Sequence, residues 1–239
     1  MTRVIKVDPK AIDMAAIETA ARVIEEGGLV AFPTETVYGL AASLLNKKAL
    51  SRLTEIKQRP ADKSFSIHIP EAGYAERYAQ EILPSAYKIM DKFWPGPVTV
   101  VLKSPGDKSV GLRVPDHEIA CQLLRRVDGP VIAPSANPAG QTSPTKAQQV
   151  LAYFDGKIEL LLDGGSTSIG VESTVVEGRY QQVVVVDPTQ KTLVVYHVEL
   201  STGAVELCSV RNITWDLQMT HYNGKSPLPS EIQSILEHR

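Results

Sequence analysis

Three cationic side chains lie close together in the first third of the chain. Lys57, Arg59 and Lys63 fall within seven residues at the end of a predicted helix, and Pro60 stiffens the loop between them. Arginine can bind phosphate oxygens through two donors and lysine binds them as a point charge, so this group suits a phosphate clamp. The same cations could instead complement the negative end of the helix. The residues leave both interpretations open.

Hydroxyl and imidazole groups occur beside two predicted strands. Thr34 follows the wholly apolar run 29–32, which is typical of a strand buried on both faces. Ligands of α/β proteins usually bind where such strands end. Ser66 and His68 alternate with apolar residues at a period of two and are predicted to face away from the apolar side. The alternative for the Thr34 segment is an ordinary transition from strand to loop. The alternative for His68 is a histidine whose hydrogen bonds are made within the fold.

Further polar residues lie in the middle of the chain. Arg113 falls within a strand pattern, where its charge needs either a phosphate or a structural carboxylate. Small hydroxyl and amide side chains that suit hydrogen bonds to a polar ligand then recur at Ser135, Asn137, Ser143, Thr145 and Ser173. Ser143 is also predicted to cap the helix that follows it, which makes turn chemistry the alternative for this loop.

The elements that must position these residues alternate between helices and strands. Asp8 with Pro9 is predicted to begin the first helix, and a second helix is predicted from Asn46 to about Lys57. Further helices are predicted at 84–93, near 120–127 and from 143 to about 154, and strands at 65–69, 98–102, 110–114, 131–133, 158–162 and 171–176. This alternation predicts an α/β fold with a twisted mixed sheet in residues 1–179. Residues 180–239 are predicted to be a β-rich appendage, with strands at 183–186, 193–200 and 204–210 and a short final helix.

Composition narrows the classes of protein. The net charge of −2 means that any contact with nucleic acid would need a local basic patch. The two cysteines form no C-x-x-C pair, no apolar run approaches the roughly 18 residues of a membrane span, and the N-terminus does not resemble a signal peptide, so a cytoplasmic location is expected. No P-loop or G-x-G-x-x-G segment is present, so a nucleotide would need another phosphate cradle.

Taken together and in order, these segments resemble the YrdC family, whose members are threonylcarbamoyl-AMP synthases. The matching segments are PTETVYGL, KQRP, FWPGPVT, GLRVP, PSANPAGQTSPT and GVESTVV, which fall within about residues 20–178. The resemblance implies a twisted sheet with helices around a large, positively charged concave cavity. It also implies the joining of L-threonine, bicarbonate and ATP into L-threonylcarbamoyladenylate with release of pyrophosphate, for threonylcarbamoyladenosine in tRNA.

The resemblance further implies roles for individual residues. The catalytic cations would be Lys57, Arg59 and Lys63, which would also hold ATP phosphates. Threonine would contact Thr34, His68, Ser135 and Asn137. Nucleotide contacts would be completed by Arg113, Ser135, Asn137, Ser143, Thr145 and Ser173. Mg²⁺ would accompany ATP, with no metal site of the protein itself, no organic cofactor and no covalent enzyme intermediate. A downstream threonylcarbamoyl transferase complex and tRNA would be partners, with no membrane involved.

Two departures from the family pattern keep other functions open. An R-P-G element usually follows the strand after the S-T-V segment, and residues 178–190 lack it. Residues 180–239 do not resemble the second domain of longer family members. The alternatives are a double-stranded RNA-binding protein, a degenerate YrdC-like protein without catalysis, and a carbamoyl-transfer domain that uses carbamoyl phosphate.

Overall fold

Helices and strands alternate through the first part of the chain in a computed structural model of the protein. The residues it describes are 1–59, 65–106, 108–176, 180–187, 192–199 and 205–212, and side chains are described as far as residue 173. The chain divides into two units, Met1–Val175 and Val176–Arg239. The division at residue 179 made from the sequence stays a prediction.

A mixed sheet of nine strands organises the described part of the first unit. The strands are β1 (Arg3–Lys6), β2 (Val30–Phe32), β3 (Gly39–Ser43), β4 (Ile67–His68), β5 (Val98–Ser104), β6 (Lys108–Arg113), β7 (Val131–Ile132), β8 (Leu160–Asp163) and β9 (Thr174–Val176). Their order across the sheet is β1-β8-β2-β3-β7-β4-β6-β5-β9. Strand β8 is parallel to both β1 and β2, and β4 is parallel to β6, whereas β3 and β7 run antiparallel to their neighbours. The predicted α/β class with a mixed sheet is therefore confirmed.

Five α-helices and one 3₁₀ helix connect these strands among the described residues. They are α1 (Met14–Glu25), α2 (Lys47–Lys57), the 3₁₀ helix Ala72–Arg77, α3 (Pro84–Phe93), α4 (Glu118–Arg126) and α5 (Ala147–Phe154). None of the helices in this described part of the chain is long and apolar enough to cross a membrane.

Two helices cover one face of the sheet with apolar side chains. Ile17 and Ile24 of α1 and Leu123 of α4 belong to one buried cluster with Phe32 of β2 and Leu160 of β8. Each of these five side chains is at most 1% exposed. Because burial of a side chain of this size contributes roughly 1.5–3 kcal/mol, this cluster fixes the strands whose ends carry the polar loops.

The first helix begins later than its sequence predicts. Asp13 accepts a hydrogen bond from the backbone N–H of Ala15 at 2.9 Å and caps α1, which starts at Met14. Asp8 instead accepts from the N–H of Lys10 at 2.9 Å in a turn. The prediction that Asp8 begins the helix is wrong, because an aspartate before proline suits a turn as well as a helix cap.

Helix α2 carries two of the predicted cations. The helix was predicted to start at Asn46, which caps its N-terminus by accepting from two backbone N–H groups of the first turn. Lys57 is its last residue and lies on the buried face. Gln58 has a φ of 51°, a left-handed conformation that ends the helix. The side chains of Lys57 and Arg59 therefore leave the chain on either side of a sharp turn.

The register of the sheet brings distant polar residues to one place. His68 of β4 pairs with Arg113 of β6, and an isolated bridge joins Gly39 to Ser135. The N–H of Leu40 also donates to the carbonyl of Pro134 at 2.8 Å. These pairings link segments that are 45 to 96 residues apart in sequence to one end of the sheet.

The described part of the second unit is a separate antiparallel sheet. Its strands are β10 (Tyr180–Asp187), β11 (Thr192–Glu199) and β12 (Val205–Asn212), in that order. An irregularity in register falls between Val195 and Tyr196. The prediction of a β-rich appendage is confirmed for these strands, and the predicted helix ending at Arg239 lies outside the described residues.

Candidate functional site

A concave cavity lies at the end of the sheet where these pairings converge, with a volume of about 170 Å³. Its lining residues are Thr34, Thr36, Val37, Gly39, Arg59, Phe65, Ser66, His68, Thr99, Arg113, Ala133, Pro134, Ser135, Glu172 and Ser173. The residues predicted from the sequence that line it are Thr34, Arg59, His68, Arg113, Ser135 and Ser173. Lys57, Asn137, Ser143 and Thr145 lie elsewhere, and Lys63 is outside the described residues.

A tight turn after β2 presents two hydroxyl groups. The Thr34 hydroxyl donates to the carbonyl of Val37 at 2.7 Å, and it lies 2.9 Å from the hydroxyl oxygen of Thr36. Both threonines are almost completely buried, with exposures of 2% and 0%. The turn is thus held by its own side chains, and it sets the two hydroxyls in a fixed position at the cavity wall.

Arg113 forms a buried ion pair beneath the same wall. Its Nη2 donates to Glu35 Oε1 at 2.7 Å and to the Thr36 hydroxyl at 2.9 Å, and the two charged side chains are only 5% and 7% exposed. Its Nε donates to the carbonyl of Gly96 at 3.2 Å, so the Pro-Gly-Pro turn of residues 95–97 helps to position this arginine. The sequence left a phosphate or a carboxylate as the partner of Arg113. The structure supplies the carboxylate, while Arg113 also lines the cavity.

His68 contributes a neutral imidazole to the cavity. Burial, reinforced by the neighbouring Arg113 charge, lowers the pKa of His68 to about 3. Its Nδ1 is buried and has no hydrogen-bond partner within the described structure. Ser66 lines the cavity beside it, which confirms that both residues point away from the apolar side of the strand. An uncharged ring with an unused nitrogen suits a hydrogen bond to a polar ligand.

Lys57 and Arg59 are the members of the predicted phosphate clamp that the structure describes, and of these two Arg59 lines the cavity. Its guanidinium lies over the ring of Phe65, 4.8 Å from the ring centroid. Partial burial lowers the pKa of Arg59, while the carboxylate of Glu172 acts in the opposite direction. The arginine is therefore oriented by an aromatic face and electrostatically coupled to an acidic residue in the same cavity.

Lys57 lies behind the cavity wall. It is 4% exposed, and its Nζ donates to the main-chain carbonyls of Ser135 and Asn137 at 2.5 Å each. Burial lowers the pKa of Lys57 to about 8, an effect that Glu172 partly opposes and Arg59 adds to. The ammonium is thus directed at the protein backbone.

The loop after β7 places Ser135 at the cavity and fixes Asn137 beneath it. The side-chain nitrogen of Asn137, Nδ2, donates to the carbonyl of Gln141 at 2.6 Å and to that of Pro138 at 3.1 Å. Asn137 is 4% exposed. Its side chain therefore holds the loop, and Ser135 is the member of the predicted Ser-x-Asn pair that faces the cavity.

Ser143 and Thr145 have contacts that the sequence did not predict. Ser143 donates to Glu172 Oε1 and does not cap α5, so the prediction of that cap is wrong. The side-chain oxygen of Gln149 accepts from the N–H groups of Thr145 and Lys146, at 2.8 and 3.0 Å, and stabilises the start of α5 instead. A glutamine one turn into the helix can satisfy these donors from within, which frees the serine to bond elsewhere.

Several lining residues were not assigned to the site from the sequence. Thr36, Ser66, Thr99 and Glu172 contribute polar groups to the cavity. Thr99 lies on the predicted strand that follows the Pro-Gly-Pro turn, and its hydroxyl oxygen is 3.3 Å from that of Ser173. The alternation of that strand and the position of Glu172 next to Ser173 were available signals for these assignments.

Comparison with known proteins gives the family. The Sua5/YciO/YrdC family model, described as telomere recombination, matches residues 22–188. This range is more than half of the chain, and the chain therefore belongs to the Sua5/YciO/YrdC family. The resemblance inferred from the sequence is confirmed.

Two relatives show how far the similarity extends. The threonylcarbamoyl-AMP synthase of Pyrococcus abyssi is 46% identical over 186 residues, which cover 74% of this chain and 54% of that protein. The threonylcarbamoyl-AMP synthase of Bacillus subtilis is 35% identical over 242 residues, which cover 92% of this chain and 70% of that protein. The chain thus spans about half the length of the Pyrococcus relative.

Solved structures agree with the fold. The crystal structure of P. abyssi Sua5 complexed with L-threonine is similar with a TM-score of 0.70 at 46% identity, over 73% of this chain and 54% of that one. The crystal structure of E. coli YciO has a TM-score of 0.67 at 22% identity, over 74% of this chain and 90% of that one, and supports the fold alone.

Proposed function

We propose that this protein synthesises L-threonylcarbamoyladenylate from L-threonine, bicarbonate and ATP, with release of pyrophosphate, and so acts as a nucleotidyltransferase in tRNA threonylcarbamoyladenosine formation. The observation that carries the proposal is the convergence of Arg59, Arg113, His68 and a wall of hydroxyl groups on one cavity. The family membership and the L-threonine complex of the Pyrococcus relative support the choice of substrate class.

The composition of the cavity wall suits two ligands of different charge. The side that carries Thr34, Thr36 and His68 offers hydroxyls and a neutral ring, which can hydrogen-bond the polar groups of a small amino acid. Arg59 supplies a guanidinium for phosphate oxygens. Arg113, already paired with Glu35, lies below both groups and can contact a carboxylate or phosphate without being an isolated buried charge.

The reaction needs no nucleophile from the protein. The threonine amine adds to the carbon of bicarbonate, and loss of water gives a carbamate. A carbamate oxygen then attacks the α-phosphorus of ATP, and the bond to the β-phosphate oxygen breaks as pyrophosphate leaves. Such a transfer depends mainly on positioning and on neutralisation of charge. Arg59 would stabilise the charge that develops on the phosphates, and the Thr34–Thr36 turn and Ser135 would orient the amino acid.

Mg²⁺ would enter with ATP. Magnesium is commonly held by one or two carboxylates together with substrate phosphates. The described residues contain no cluster of three or more possible metal ligands, and Glu172 is the carboxylate among the described residues that line the cavity. These residues fit a Mg²⁺ ion that is held mainly by the ATP phosphates. Glu172 would be its protein ligand, and the ion would neutralise phosphate charge.

The direct test is product formation by the purified 239-residue chain. ATP labelled at the α-phosphate would be incubated with L-threonine, bicarbonate and Mg²⁺, and the labelled adduct separated from AMP while pyrophosphate is measured in parallel. We expect adduct and pyrophosphate in equal amounts and only when both co-substrates are present. An Arg59→Met variant should lose most of the activity, whereas Lys48→Met, on an exposed part of α2, should retain it.

Other outcomes separate the competing functions. Binding of threonine or ATP without adduct would favour a non-catalytic member of the family. Salt-sensitive binding of duplex RNA with no turnover would favour an RNA-binding role. Transfer of the adduct to tRNA by a partner complex, and a cytoplasmic location, remain further parts of the proposal.

A further inference from the structure

The ammonium of Lys57 is surrounded by oxygen atoms of one short loop. Besides the carbonyls of Ser135 and Asn137 at 2.5 Å, the Ser135 hydroxyl lies 3.4 Å and the Asn137 side-chain oxygen 3.5 Å from Nζ. An ammonium has three N–H donors and no acceptor. The loop thus offers enough acceptors to satisfy all three donors, and a phosphate would have to displace one of them.

The main chain of Lys57 holds the same loop at a second point. Its carbonyl accepts from the N–H of Ala139 at 2.8 Å. The N–H of Ala136, in the same loop, donates to the carbonyl of Tyr38 at 2.8 Å. The end of α2 and the β2–β3 turn therefore both hold residues 135–139 by main-chain hydrogen bonds, and Nζ of Lys57 bridges two carbonyls of the same loop.

We propose that Lys57 is a positioning residue that fixes the loop of residues 135–139, and thereby the Ser135 side chain at the cavity wall, and that it does not bind the phosphates of the nucleotide. The identity of the ligand in this inference rests on the proposed function. The hydrogen bonds between Lys57 and the loop do not depend on that function. It replaces the phosphate-clamp role that the sequence suggested for this lysine and leaves Arg59 in that role.

The geometry also explains why lysine suits this position. Two carbonyls from alternate residues of one loop converge on a single nitrogen, which matches a compact ammonium with rotatable donors. A guanidinium is planar and presents its donors as a rigid fork. Arginine would keep the charge, and would still serve a phosphate well, but it would not satisfy this arrangement of carbonyls.

Amide hydrogen exchange in the unliganded full chain tests the proposal. In Lys57→Arg and Lys57→Met, we expect the amides of Ala136 and Ala139 to exchange faster by at least about tenfold, because the loop loses hydrogen bonds to a charged group and opens more readily. A tenfold change corresponds to about 1.4 kcal/mol. Lys48→Met on the same helix is the control and should leave both rates unchanged. Unchanged exchange in both Lys57 variants would overturn the proposal, since a phosphate ligand has no effect before ligand is added.

Binding of inorganic tripolyphosphate provides a second measurement. We expect Lys57→Arg to keep the affinity within about twofold while the kcat of adduct formation falls, whereas Arg59→Met weakens tripolyphosphate binding on the order of tenfold. If Lys57→Arg kept kcat and the loop exchange of the wild type, the charge alone would be what matters and the positioning role would be wrong.

A measurement on the wild type avoids any dependence on folding of the variants. With lysine labelled at ¹⁵Nζ, the Lys57 signal should show slowly exchanging protons and stay in place when tripolyphosphate saturates the protein. A shift comparable to those of the arginine signals of the cavity would refute the proposal. If the wild type forms no adduct but these results hold, the proposed function fails and the positioning role of Lys57 stands.

Discussion

Lowering the pH from 7 to 4.5 should destabilise the protein through His68. Burial lowers the pKa of His68 in the folded state to about 3, whereas an unfolded histidine has a pKa near 6.5. As the pH falls below about 6.5, the unfolded state binds a proton that the folded state cannot accept, so stability is lost until about pH 3. At about pH 4.5, some 2 units below the unfolded value, the loss is about 2–3 kcal/mol, whereas at pH 7 it is well below about 1 kcal/mol.

The assay compares the wild type with His68→Gln, which lacks the titrating ring. Free energies of unfolding are measured by urea titration at pH 7 and pH 4.5. Between these pH values the free energy should fall by about 2–3 kcal/mol less in the variant than in the wild type. NMR of the His68 ring should show no titration across this range. A ring that titrates near its ordinary pKa, or equal losses in the two proteins, would show that His68 is not held neutral by burial.

Three further changes test other contacts. Glu35→Leu should lower the free energy of unfolding by about 3–5 kcal/mol in urea titrations, because Arg113 would remain buried without its carboxylate, and Arg113→Met in the same chain should restore much of the loss. Glu172→Gln should increase the affinity for metal-free ATP about twofold to fivefold, because the Glu172 carboxylate partly offsets the charge of the nearby cations. The same change should raise the Mg²⁺ concentration needed for ATP binding. Calorimetry that showed neither change would exclude both roles. Asp13→Ala should cost about 0.5–2 kcal/mol in thermal or urea unfolding because α1 loses its cap, whereas Asp8→Ala should cost less.

The fold was predictable where hydrophobic periodicity is strong. α3 spans the range predicted from the sequence, and the buried runs of β2 and β8 are recognisable from their apolar composition alone. Two strands gave no such signal. β3 consists of small residues from Gly39 to Ser43, and β1 is a short edge strand with mostly exposed side chains. Both form because neighbouring strands supply hydrogen bonds, which is a tertiary effect.

The site was predictable in composition but not in detail. Thr34, His68 and Ser135 could be assigned because each follows or lies within a recognisable strand. The sequence could not predict which cation lines the cavity and which ones contact the protein itself, because these contacts join residues far apart in the chain. Glu35 meets Arg113 across 78 residues, and the same separation lies between Lys57 and Ser135. A local sequence pattern contains no information on which of two neighbouring cations will face a cavity.

These contacts also bear on how a protein for which we propose a polyanionic ligand can fold before that ligand binds. An isolated buried charge would cost several kcal/mol in the unliganded state. Arg113 avoids this cost through Glu35, and Lys57 avoids it through backbone carbonyls. Arg59 is less deeply buried and stacks on Phe65, so it can remain charged at the cavity with less desolvation. The cation best suited to meet phosphate is therefore the one whose charge the fold can tolerate at the cavity, while the more deeply buried cations hold the walls in place.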